Sequence, residues 1–210
     1  MQMKLITTLF LATIIASSAF SQDKLYMMNG GVFDVKVNDT SNAKILVDFT
    51  KHDKIKKITL DKEDVFSIKY ASGQEVIFYK EDSLSEENYM TVSEMSDYVA
   101  GQRDATKGYH SPGTTISSVV VGAASGLTGG FLFIPLLSPV PSGLFVGAAG
   151  ARWIKIKRKN VSDTKYLKSD TYVLGYDHAA RGKRLQNAII GTGSGLIVGI
   201  VSAIIFKPFK

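Results

Sequence analysis

The 210-residue chain has no cysteine. That excludes disulfides, thiol catalysis and a lipid-modified cysteine behind a leader. Tryptophan occurs once, at Trp153, and the only histidines are His52, His110 and His178. No two of the histidines have metal-ligand spacing, and Asp177 and His178, adjacent on a predicted helix, point different ways. No serine occupies a Gly-x-Ser-x-Gly elbow at a strand–helix junction, so Gly193-Ser194-Gly195, inside an apolar run, reads as a helix-packing surface. Gly191-x-Gly193 lacks the preceding strand and following lysine of a phosphate loop. The expectation is a non-enzyme with no cofactor, no metal and no small-molecule substrate. Charge is missing too. Thr114 to Ala151 and Asn187 to Phe206 carry none, so neither holds the acid or base of an ion pathway.

What fills those two stretches is glycine among Val, Ile, Leu and Phe. Gly122, Gly126 and Gly130 are spaced by four, as are Gly191, Gly195 and Gly199, a row that Ala203 extends. Residues four apart share a helix face. Each interior glycine costs ~1 kcal/mol against alanine, so two such rows imply a gain elsewhere, in close helix approach within lipid. Both stretches reach the ~20 residues that span a bilayer. Gly143, Gly147 and Ala151 form a third small-residue row, after an interruption by Pro135, Pro139 and Pro141.

The net charge of +6 is unevenly distributed. Residues 22–113 hold 12 Lys/Arg against 16 Asp/Glu, and residues 151–186 hold 10 Lys/Arg against 3 Asp. The basic segment lies between apolar stretches, so its charge reads as membrane topology rather than nucleic-acid binding. Lys4, the apolar run Leu5 to Ala16 and the small residues to Ser21 read as a cleavable leader. From Leu25 to Tyr79, short alternating runs such as Phe33, Val35, Val37 and Ile45, Val47, Phe49 are separated by turn clusters. They predict a small six-stranded antiparallel β-barrel or roll.

The runs Leu25-Tyr26-Met27-Met28-Asn29-Gly30-Gly31-Val32-Phe33-Asp34-Val35-Lys36-Val37 and Leu60-Asp61-Lys62-Glu63-Asp64-Val65-Phe66-Ser67-Ile68 resemble small SH3-like or Sm-like barrels. Those barrels belong to exported Bacteroidota membrane proteins with glycine-rich transmembrane helices. The resemblance implies a β fold and transfers no chemistry.

A second pattern repeats within the chain. Tyr98, Gly101, Ala105 and Gly108 recur as Tyr172, Gly175, Ala179 and Gly182, each set shortly before a glycine row. This reads as an interfacial helix feeding a glycine-faced span, twice. Tyr-x-x-Gly-x-x-x-Ala elements of this kind are similar to those of the same exported families.

The expected organisation is a leader over residues 1–21, a β domain over 22–80, and an acidic linker and amphipathic helix over 81–113. A glycine-rich segment follows over 114–151, its first span at about 114–137. Then come a basic loop and helix over 152–186, a second span over 187–206 and a tail over 207–210. The charge bias favours a two-span hairpin with the basic loop in the cytoplasm. Three crossings, counting residues 142–154, put that loop outside, and two repeat copies in like orientation favour that count. Trp153, Lys155, Lys157, Arg158 and Lys159 are the expected lipid-interface residues. The expected protein is an integral inner-membrane scaffold of the bacterial envelope with a periplasmic β domain. Its partners are membrane lipid and a further copy or another membrane protein, not nucleic acid. On this reading self-association fails when Gly126 or Gly195 becomes Leu. The alternatives are a pore or transporter accessory, and a soluble protein that hides its apolar hairpin until it meets a membrane.

Overall fold

The computed structural model describes residues 22–51, 54–81, 89–131 and 139–206. The expected leader, His52, most of the acidic linker, Pro135 and the tail lie outside these residues. The chain divides into two units, at Val92 and Ser93.

The first unit is a six-stranded antiparallel sheet. Its strands are β1 (Asp23–Met27), β2 (Val32–Asp39), β3 (Lys44–Lys51), β4 (Lys54–Asp61), β5 (Val65–Lys69) and β6 (Glu75–Ile77), in the order β4-β3-β2-β1-β5-β6. The Asn29-Gly30 signal forms the β1–β2 turn, with Gly30 at φ 76°, a value that suits glycine. Asp39 turns the chain between β2 and β3 by accepting from the Ser41 amide and hydroxyl at 2.8 and 2.6 Å. Those bonds hold its carboxyl below the usual carboxylate range.

Of the alternating residues predicted to point inward, Val35, Ile45 and Val47 are buried and Val37 and Phe49 half-buried, whereas Phe33 is exposed. Leu25, Val35, Ile45, Val47, Val65 and Ile68 form one buried cluster, onto which Ile58, Leu60 and Phe78 also fold. Strand register shifts at Tyr26/Met27 and Val37/Asp39 supply the bends that let the sheet curl. The sheet stays open, however. No ladder joins β4 to β6 among the described residues, so in place of the expected barrel or roll the strands form an open antiparallel sheet. The three-residue β6 is too short to zip against the eight-residue β4. Lys54, Lys56 and Lys57 on β4 are exposed, a charged edge that resists further strand addition.

The second unit is helical: α1 (Val92–Gly108), α2 (Pro112–Phe131), α3 (Pro139–Ala151) and α4 (Asp170–Phe206). Prolines open α2 and α3 in first turns that need no amide donor. Ser169 Oγ accepts from the Tyr172 amide at 3.4 Å and caps a helix that then runs 37 residues unbroken, about 55 Å. One buried stripe runs along α4: Tyr172, Tyr176, Ala180, Arg184, Ala188, Gly191, Gly195, Gly199 and Ala203. Its first half meets α1 and its second half meets α2.

The expected two-span hairpin is not what forms. Gly122 faces Thr192 and Leu196, and Gly126, one turn on, faces Leu196 and Ile200. Contacts that advance together mean that α2 and α4 run parallel. The return passes through α3, where Ser142 and Val146 share a groove with Ile189, Thr192 and Leu196 while Ala149 lies at Arg184. A hairpin needs only a short link, whereas this chain has a whole helix between its glycine rows.

Ile45 is fully buried, so Ile45→Ala is expected to destabilise the β unit by about 3 kcal/mol. Urea unfolding of the full chain, followed by loss of β-sheet signal, measures it.

Candidate functional site

Glycine brings the two helical halves into backbone contact. A Cβ built on Gly122 would lie 2.9 Å from the Leu196 amide nitrogen, and one on Gly126 2.9 Å from that of Ile200. Reciprocally, Gly195 would strike Ala123 nitrogen at 2.9 Å and Gly199 would strike Leu127 nitrogen at 2.8 Å. In each case a carbonyl oxygen of the facing helix is closer still. Exchanging the helices leaves the pattern unchanged, with Gly122 equivalent to Gly195 and Gly126 to Gly199. Gly191 completes the row against Ser118.

The repeated motif obeys the same exchange. Gly101 abuts the Tyr172 carbonyl and Gly175 abuts the Tyr98 carbonyl. Tyr98 also lies tilted against His178, with ring centroids 6.4 Å apart. The two copies are therefore halves of one pseudo-symmetric contact. The exchange fails four residues later: Ala105 is buried and its counterpart Ala179 is half-buried, with Ala180 taking the core position. The glycines expected at a contact between copies are thus used within a single chain.

Below the seam lies a polar collar. Asp104, 6% exposed, accepts from the Tyr172 hydroxyl at 2.7 Å and from the Ser162 amide and hydroxyl, each at 2.8 Å. Burial first, then the Asp104 bond, raises the Tyr172 pKa far above its ordinary value. Tyr172 sits in the polar first half of α4, ahead of the apolar stretch, and so acts there as a neutral donor. Tyr166 stacks on it at 5.2 Å.

The basic segment is packed, not looped out. Ile154, Ile156, Val161 and Leu167 press onto the Ala100, Tyr172 and Tyr176 cluster, and Asn160 covers Gly108. Trp153, Lys155, Lys157, Arg158 and Lys159 all point to solvent, with Trp153 85% exposed.

Cations of α4 cap its neighbours. Lys183 donates to the Thr106 and Tyr109 carbonyls at the end of α1, at 2.8 and 2.9 Å. Arg181, paired with Asp177 at 2.5 Å, donates to the Gly150 carbonyl. Arg184 is only 7% exposed. Its Nε donates to the Tyr109 hydroxyl at 2.8 Å, and its terminal nitrogens to the carbonyls of Ala149, Arg152 and Trp153 at 3.3, 2.7 and 3.4 Å. Positive charge at helix C-termini complements their dipole. In the sequence these residues looked like topology signals. Their signature was positional: Arg184 continues the four-residue stripe of Tyr172, Tyr176 and Ala180.

Gly143 and Gly147 face open space, so the third row has no partner within the described residues. Gly130 lies near the end of α2. Among the described residues no three His, Asp or Glu are grouped to hold a metal. No protein family, curated protein or solved structure matches the chain.

Gly195→Leu is expected to cost at least about 3 kcal/mol, because backbone cannot yield to the new side chain. Gly147→Leu, into open space, is expected to cost under about 0.5 kcal/mol. Thermal unfolding in detergent followed by helical circular dichroism compares the two.

Proposed function

We propose that this chain is a non-enzymatic, membrane-anchored envelope protein. Its glycine seam builds a rigid helical anchor, and its β unit serves as the interaction module. The observation that carries the reading is the outward face of the seam. With the glycines turned inward, Ile116, Val120, Ile190, Ile197, Ile204 and Ile205 all stay exposed. In α4 a charge-poor apolar window long enough to cross a membrane is only 28% buried. A soluble core helix has the opposite burial, since exposed apolar surface on this scale marks a membrane or a partner.

In this reading α2, 20 residues long, and the apolar half of α4 cross the bilayer, about 30 Å each. The polar collar then lies at one headgroup layer. Trp153, Lys155, Lys157, Arg158 and Lys159 would meet that layer as an aromatic anchor and an anionic-lipid contact. The open Gly143 and Gly147 face suits a further copy or another membrane protein. The leader reading of residues 1–21 puts the β unit in the periplasm and the anchor in the inner membrane. Capping gives Arg181, Lys183 and Arg184 a purpose other than cytoplasmic retention, so the parallel seam favours a basic segment on the same side as the β unit.

Fractionation and reporter fusions test this. The protein is expected to resist alkaline carbonate and to leave the membrane only with detergent. Reporters in the β unit and near Asn160 should give one compartment, and a reporter after Phe206 the other. Release by carbonate, or opposite sides for the β unit and Asn160, overturns the reading.

A further inference from the structure

A cavity of about 580 Å³ opens where α2 begins and α3 ends. His110, Ser111, Thr114, Arg152 and Arg184 supply its polar wall, and Phe145 and Ala148 its apolar wall. Among the described residues no carboxylate lines it. None pairs with Arg152 or Arg184 among the described residues.

The charge balance there is unusual. A buried guanidinium normally requires a counter-charge. Arg184 has the end of α3, worth roughly half a negative charge, and the start of α2 brings roughly half a positive one back. Two guanidiniums therefore face one cavity, Arg184 buried and Arg152 exposed, with no carboxylate paired to either among the described residues. Arg184 also retains hydrogen-bonding capacity. Its Nε and one terminal nitrogen are used on close protein oxygens, while the other terminal nitrogen makes only the 3.4 Å bond to Trp153. A guanidinium carries five donors.

The position is informative as well. Arg184 lies one turn before Asn187, where the charge-free stretch starts. The cavity therefore sits where the polar half of the unit gives way to the apolar half.

We propose that this cavity binds the phosphate of an anionic phospholipid. The phosphate oxygens lie toward Arg152 and Arg184, with the hydroxyls of Ser111 and Thr114 alongside, and the first acyl carbons lie along Phe145 and Ala148. The site is separate from the exposed Lys155 to Lys159 run. It rests on the membrane reading for its lipid source but not for its anion chemistry.

The test uses the full chain in detergent and in bilayers of phosphatidylcholine with or without phosphatidylglycerol. Variants are Arg152→Gln, Ala148→Phe to fill the cavity, and Lys157→Gln outside it. Arg152 and Ala148 are exposed, and Arg184 bonds the Arg152 carbonyl rather than its side chain, so both variants should fold. Phosphatidylglycerol is expected to raise Tm by about 4 °C over phosphatidylcholine alone. Arg152→Gln and Ala148→Phe should lose more than half of that rise, and Lys157→Gln should keep it. In detergent, inorganic phosphate should give a smaller rise, lost in the same two variants. Equal stabilisation by both bilayers, or equal loss in Lys157→Gln, overturns the proposal. A full shift from inorganic phosphate alone overturns the lipid source. A chain that leaves membranes without detergent, yet keeps the phosphate shift, overturns the membrane reading and leaves the anion site standing.

Discussion

Two helices approach most closely where neither carries a side chain at the crossing. In this chain glycine supplies that condition at four positions between α2 and the second half of α4, and again at Gly101 and Gly175, where α1 meets the first half. Gly122, Gly126, Gly195 and Gly199 each lie against a carbonyl and an amide of the facing backbone. At that distance dispersion contacts along the backbones replace side-chain interdigitation. The large side chains are displaced outward as a result, which is why the apolar surface of this unit faces away from its own core. The parallel sense of the pair follows from the same contacts, and it forces α3 and the basic segment to return the chain to its starting level.

That return path explains the collar. Helices α1 and α3 both end beside the middle of α4, and each end presents carbonyls without intrahelical partners. Lys183 answers one set and Arg184 the other. Adjacent residues on α4 thus tie together two helices that are far apart in sequence. The basic character of residues 151–186 is in part a structural requirement of the parallel seam, with the remaining cations, Lys155 to Lys159, left facing solvent.

Much of this was readable from residue order, and the reasons differ by element. The β strands declared themselves through period-two alternation, and Val35, Ile45 and Val47 are buried as the pattern demands, although Phe33 of the same run is exposed. What alternation does not encode is closure, because that depends on whether the last strand is long enough to pair across the sheet. The glycine rows marked the helix contact, and the Tyr98 and Tyr172 copies marked its two halves. Direction was ambiguous, since a row of small residues permits parallel and antiparallel approach alike. The charge bias pointed to a hairpin because Lys183 and Arg184 count, with the other Lys and Arg of residues 151–186, toward a topology signal. Their burial and capping arise only after α1 and α3 converge on α4, a tertiary event with no local signature beyond the stripe spacing. Gly143 and Gly147 had the same spacing as the true seam and find no partner in the described residues. Spacing identifies a face, not what covers it.

The direction of the seam is the claim on which the anchor, the collar and the common side of both repeats depend. The absence of native cysteine makes it accessible to paired spin labels. Labels at Ile116 and Ile190, both exposed, sit at one level of a parallel pair. Labels at Ile116 and Ile204 are offset by about 20 Å along the axis. The account predicts the shorter distance for Ile116 with Ile190. A shorter distance for Ile116 with Ile204 would mean an antiparallel hairpin and would contradict it.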